Sequence, residues 1–200
     1  NAIAATKAAA AEIKPGSFSQ NMALGRAVEL PSTSHLVIVD AAGNVVSMTT
    51  SIENAFGSTL MANGYLLNNE LTDFSFEPEQ NGQAVANRVE GGKRPRSSMA
   101  PTIVLKNGAP YLAVGSPGGS RIIGYVAKTL VAHLDWGMDI QQAIDLPNML
   151  NRGSAYELEE NTPAAAKAGA LERMGARFEF GRARHCDSAA GFAGRCGSAA

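Results

Sequence analysis

The sequence predicts an α+β protein in which hairpins and helices are segregated along the chain. Three observations carry this. Two pairs of short apolar runs are each joined by a turn, at 35–52 and at 102–114. Helical periodicity comes mainly later, at 121–134, at 139–146 and from 162 to about 174. The composition, 45% apolar and 18% charged over 200 residues, suits one soluble chain with a substantial core. Strands grouped in hairpins and helices grouped in runs favour α+β layers over βαβ alternation.

Taken in order, residues 2–13 are strong helix formers stopped by Lys14-Pro15-Gly16. A polar stretch follows to Ser34. His35 to Val39 is a β-branched run, Asp40 to Asn44 a turn, and Val45 to Ile52 alternates apolar with small polar residues, which together make a hairpin. Gly64 to Leu67 is apolar and leads into Asn68-Asn-Glu-Leu-Thr-Asp73. The Gly-, Pro- and polar-rich stretch 77–96 suggests a mobile surface loop. Thr102 to Leu105 and Tyr111 to Val114 flank Lys-Asn-Gly-Ala-Pro as a second hairpin. After Gly115-Ser-Pro-Gly-Gly-Ser120, Ile122, Val126, Thr129, Leu130 and His133 recur at helical spacing. Asp139 is placed to N-cap a short helix ending before Pro147. Thr162-Pro163 starts a third helix, running to about Met174, and Phe178 to Phe180 reads as a strand. From residue 182 onward the chain turns to Ala, Gly and Arg without periodicity.

Several function classes are excluded at once. A net charge of −1 supplies no basic excess for nucleic acid or anionic lipid. No apolar stretch reaches the roughly 18 residues a membrane helix needs. Cys186 and Cys196 both fall in the tail and form no disulfide framework or metal-ligand spacing. His35, His133 and His185 lie in no metal-ligand pattern, so no metal is expected. The chain opens on Asn1 with no basic n-region before an apolar run, so any signal peptide would lie upstream of it.

The chemistry-bearing residues cluster around the first hairpin. Pro31-Ser-Thr-Ser-His35 precedes its first strand, and Thr49, Thr50 and Ser51 end its second. The Gly-rich turn at 115–120 precedes a helix and could cradle an anion. It lacks both a following Lys-Ser/Thr and a G-x-G-x-x-G spacing, so it is neither kind of nucleotide loop.

Several motifs in order then resemble one family. They are Thr33-Ser-His35 with the strand ending at Asp40, Ser51 to Gly57, Leu66 to Asn69, Asp73-Phe74, Lys93 to Met99 with Pro101-Thr102, and Gly115 to Arg121. Over roughly residues 12 to 180 the chain resembles the γ-glutamyltransferases. The resemblance implies the four-layer αββα sandwich of N-terminal-nucleophile hydrolases, of which this chain would supply one subunit's share. It also implies a precursor cut between Ser32 and Thr33. Residues 1–32 would then end the large subunit, 33–181 would form the small-subunit catalytic domain, and 182–200 is a tail unlike the family. The family's closing strand is not found there.

The physical logic of such a cut stands on its own. A Thr hydroxyl needs a base to become nucleophilic, and a freed α-amine, with a reference pKa of roughly 7.7–8.0, is tethered beside it. By resemblance Thr33 is the nucleophile, Ser51 supplies a supporting hydroxyl, and Gly118 and Gly119 form the oxyanion hole. Ser97 and Ser98 match the pair that holds a γ-glutamyl α-carboxylate, and Glu70 and Asp73 match positions that hold its α-ammonium. Asn69 and His35 are assigned structural roles. Glu53 departs from the pattern, standing where well-characterised relatives carry Asn at the donor amine.

The resemblance implies an enzyme needing no cofactor, a γ-glutamyltransferase or glutathione hydrolase. Its partners would be the large subunit of the same precursor, a γ-glutamyl donor, and an amine or water acceptor, in the periplasm or outside the cell. Glu53 motivates the alternative of an acylase for another amide, such as a glutaryl type. A non-catalytic module retaining the fold is the third reading.

Overall fold

The computed structural model describes residues 33–152, 155–181 and 194–195. The helix expected at 2–13, the segment 1–32 and His185 with both cysteines lie outside them. Chain contacts divide the protein into two compact units, with the boundary between Ala127 and Lys128.

The first unit opens with β1 (Thr33–Val39) and β2 (Val45–Ser51), an antiparallel hairpin closed by Asp40. The Asp40 carboxylate accepts from the Asn44 side-chain amide and then from the N–H groups of Asn44 and Ala42, which lowers its pKa. β1 begins two residues earlier than the apolar run suggested, because Thr33 and Ser34 continue the ladder against Ser51 and Thr50. Side chains alternate along a strand, so Thr33, His35 and Val37 share a face with Ser51, Thr49 and Ser47. A slip of one residue would turn all of them to the other face.

Two short ribbons follow, β3 (Met61–Ala62) with β4 (Tyr65–Leu66), then β5 (Glu79–Gln80) with β6 (Gln83–Ala84). Between them the 3₁₀ turn Glu70–Asp73 carries two of the acids. The second ribbon lies in the stretch read as a loop. That stretch is anchored as well, since Val85 is fully buried and Ser75 bridges to Arg88.

β7 (Thr102–Lys106) and β8 (Ala109–Val114) form the second hairpin. Its turn is tighter than the five-residue linker suggested. Asn107 and Gly108, at φ 54° and 80°, make a two-residue connection of the kind Asn-Gly favours. Leu112, Ala113 and Val114 of β8 are buried with Phe74, Val85, Ile122 and Val126. β2 lies against β8, with the Ser47 hydroxyl 3.4 Å from the Val114 carbonyl. On its other edge β8 pairs with β12 (Gly194–Arg195), so two residues of the tail do occupy a strand position. A 3₁₀ turn, Gly119–Arg121, then leads into α1 (Ile122–Leu134).

The second unit contains α2 (Ile140–Asp145), β9 (Met149–Asn151), β10 (Tyr156–Glu159), α3 (Ala168–Glu172) and β11 (Phe178–Gly181). Asp139 caps α2 as expected, its carboxylate accepting the Gln141 N–H at 2.9 Å. His133 is buried, with Nδ1 2.8 Å from the Met138 carbonyl. The third helix is shorter than expected, only a 3₁₀ turn at Ala165–Lys167 and the five residues of α3. Gly169 weakens it and Gly175, at φ 91°, ends the run. β11 pairs parallel with β10, so β10, α3 and β11 form one βαβ unit where segregated layers were expected.

Candidate active site

Thr33 heads β1, and the register sets it directly across from Ser51 at the end of β2. Beyond Ser51 the chain leaves the sheet through Glu53, whose φ of 69° is left-handed. Such a conformation costs a non-glycine residue about 1–3 kcal/mol, so the surroundings must impose it. Three contacts do. The Ser51 hydroxyl accepts the Glu53 N–H at 2.9 Å. Asn69 clasps the turn from the other side, its Oδ1 accepting the Asn54 N–H and its own N–H reaching the Ile52 carbonyl. Gly57 packs so closely on residue 67 that a Cβ would lie 2.1 Å from the Leu67 carbonyl oxygen. Asn69 is thus structural, as expected.

The result is a buried carboxylate: Glu53 is only 7% exposed. Glu70 and Asp73 reach the same place from the 3₁₀ turn, and one oxygen from each of the three lies within 4.8 Å of the others. Like charges so close disfavour ionisation. Burial chiefly, and then Asp73, raise the Glu70 pKa, against a hydrogen bond from the Ser51 hydroxyl. Glu70 Oε1 is buried with no hydrogen-bond partner. Three carboxylates with an unsatisfied oxygen among them suit a cationic guest, an ammonium or a metal ion.

Another part of the cleft lining comes from the segment after Pro95. Ser98 is half-buried and Ser97 exposed, its hydroxyl accepting the Met99 N–H. The strand-to-helix turn supplies the third wall. Gly118 and Gly119 have φ of 137° and 58°, which only glycine tolerates readily at the first of these. A Cβ at Gly118 would also lie 2.9 Å from Tyr125 Cε2. Main-chain N–H groups at such a turn are suited to negative charge.

Behind these walls His35 bonds Thr49 Oγ1 through Nδ1 at 2.8 Å and lies flat on Gly115. Its Nε2 is buried without a partner, and burial lowers its pKa, which favours the neutral ring at neutral pH.

Thr33, Ser51, Glu53, Glu70, Asp73, Ser97, Ser98 and Gly119 all line one small open cleft. Gly118 adjoins it in sequence but is not on its wall. Arg96, Met99, Ser120 and Ile122 line it too, and none had been singled out. Arg96 lies in the Lys93 to Met99 motif that carries the resemblance, directly before the serine pair, but was given no role of its own.

Structural likeness defines the class first. A solved Helicobacter pylori γ-glutamyltranspeptidase variant superposes with a TM-score of 0.64 at 39% identity, over 74% of this chain and 84% of that one. The fold is therefore like that of the matched γ-glutamyltranspeptidase chain, with mixed helix and strand. The family profile described as gamma-glutamyltranspeptidase matches residues 1–190, and the chain belongs to that family. The glutathione hydrolase proenzyme of Bacillus subtilis strain 168 is 40% identical over 173 residues, 82% of this chain and 28% of the relative. An acylase proenzyme, ACY 1 of Pseudomonas sp. strain SE83, is 35% identical over 147 residues, 72% of this chain and 25% of the relative. The chain thus spans little more than a quarter of the length of the curated relatives it matches.

Proposed function

We propose that this chain is the small-subunit portion of a γ-glutamyl acyltransferase and hydrolase, activated by cleavage between Ser32 and Thr33. The observation that carries the reading is the cleft itself: a strand-end threonine shares its lining with three acids, a serine pair and a glycine of the strand-to-helix turn. That charge layout matches a γ-glutamyl headgroup. The α-ammonium goes to Glu53, Glu70 and Asp73, and the α-carboxylate to Ser97 and Ser98.

In the mechanism the Thr33 hydroxyl attacks the γ-carbonyl while its own α-amine takes the proton. The Gly118 and Gly119 N–H groups stabilise the oxyanion. The intermediate collapses by breaking the C–N bond, and the leaving amine takes the proton from the Thr33 ammonium. Water or an acceptor amine then attacks the Thr33 ester and releases the glutamyl group. Ser51 supports this from across the ladder and couples it to Glu70 through their hydrogen bond.

The remainder of the precursor is the partner, completing the αββα sandwich and the donor site around residues 33–181. Residues 1–32 end its large subunit, and 182–200 are a divergent tail. Among the described residues no helix is long and apolar enough to cross a membrane. A periplasmic or secreted enzyme fits the family.

An acylase for a glutaryl-type amide is the second reading, favoured by the likeness to the Pseudomonas acylase proenzyme. The acid trio weighs against it, because a glutaryl group brings no cation to three clustered carboxylates. Intact mass and N-terminal sequencing of the full-length precursor, beside Thr33→Ala, test the main reading. Wild type should yield a fragment starting at Thr33 while the variant stays whole. Folded wild-type protein that never cleaves would leave the chain a non-catalytic module.

A further inference from the structure

We propose that Asn87 is a positioning residue that sets the spacing between the acid and serine sides of the cleft. It thereby restricts the site to donors whose amine and carboxylate share one carbon. The inference rests on the headgroup reading above and assigns a role to a residue outside the cleft wall.

Asn87 joins three segments with three polar groups. Its main-chain carbonyl accepts the Ser75 N–H at 2.8 Å. Its side-chain Nδ2 donates to the Asp73 carbonyl at 2.6 Å, and its Oδ1 accepts the Arg96 N–H at 3.2 Å. Asp73 is the last residue of the acid-bearing turn, and Arg96 directly precedes Ser97. One planar amide therefore stands between the backbone of the ammonium side and the backbone of the carboxylate side. A side-chain amide donates and accepts from one flat head without depending on its protonation state. The clamp is itself anchored, since Phe74 and Ser75 are buried before it and Val85 is fully buried two residues away.

Moving an amine by one carbon shifts it by about 1.5 Å along the chain. Two charged subsites held at a fixed distance discriminate against that shift, and subsites free to slide do not. Val85 and the Ser75–Arg88 bridge anchor the loop between Asp73 and Arg96, and the Asn87 side chain ties both ends of that loop to one point. Asn87 is thus a specificity device acting through Asp73 and Ser97.

The test uses the full-length cleaved enzyme and three anilides: γ-glutamyl, its 3-aminoglutaryl isomer with the amine one carbon further from the carboxylate, and glutaryl. In Asn87→Ala the KM for the γ-glutamyl anilide should rise about tenfold with kcat nearly unchanged. The preference for it over the isomer should fall by a similar factor. An unchanged preference, or an equal loss on both donors, overturns the proposal. Should the alanine variant not fold or cleave, Asn87→Gln keeps the donor and acceptor one methylene further out. A preference shifted toward the isomer then supports the role, and an unshifted one overturns it. The wild type separates this from the parent reading. A wild type inert on γ-glutamyl anilide defeats the γ-glutamyl assignment, and the positioning role with it. A wild type that prefers γ-glutamyl anilide but discriminates equally without Asn87 defeats only the positioning role.

Discussion

Glu70 is the residue through which pH should control donor binding. Its carboxyl is held above the usual range, chiefly by burial and then by Asp73. The folded protein therefore holds this proton more tightly than the unfolded chain does. The associated stability is present at low pH and is lost as pH rises through the raised pKa. Binding has the opposite sign. A donor ammonium favours the ionised form, so binding releases the proton and tightens as pH rises through the same value. We expect KM for a γ-glutamyl anilide to fall as pH climbs above the ordinary Glu range, near 4.3. Glu70→Gln should flatten that limb while raising KM at neutral pH. We expect the kcat profile to follow the Thr33 amine instead, so it is measured separately. An identical KM profile in the variant would show that Glu70 does not meet the amine.

At the scale of elements, the first hairpin and the glycine turn act as one unit through a single ring contact. His35 lies so close to Gly115 that a Cβ there would sit 2.0 Å from its Cε1 and 2.4 Å from both nitrogens. Gly115 begins the turn that carries Gly118 and Gly119, so the ring braces the proposed oxyanion hole from β1. Gly115→Ala must displace one or the other, and overpacking of this kind costs about 1–3 kcal/mol. In a His35→Ala background the same change should cost much less, because the clash is gone. Urea midpoints of the four proteins read this directly, and additive costs would separate the two elements.

This contact also marks where sequence reading stops. The hairpins and the Asp139 cap were legible because their causes lie within a few residues. The early start of β1 was missed because polar Thr33 and Ser34 join the ladder only through Thr50 and Ser51. The parallel pairing of β10 with β11 was missed because its partners lie more than twenty residues apart. The site was legible as a set of motifs, yet Arg96 and Asn87 were not. Each depends on which distant segment folds against it.

Over the whole molecule, the apolar surface is distributed as though part of the sheet were meant to be covered. Thr33 and Ser51 lie on one face of the β1–β2 hairpin, and Ile38, Val46 and Met48 on the other, 57%, 48% and 43% exposed. Ile103 and Leu105 of β7 are exposed as well. Scattered exposed apolar residues are ordinary, but several on one strand face mark a contact surface. The proposed occupant is the rest of the precursor, since the match covers only 28% of the Bacillus relative. Met48→Lys distinguishes a covered face from a free one, because its effect should reverse with context. In the isolated 200-residue chain a lysine replaces exposed apolar surface and should raise soluble yield. In the full-length precursor the same lysine would be buried against the partner segment without a countercharge, and should lower thermal stability and slow cleavage at Thr33. Equal behaviour in both contexts would show that this face meets solvent and that the precursor docks elsewhere.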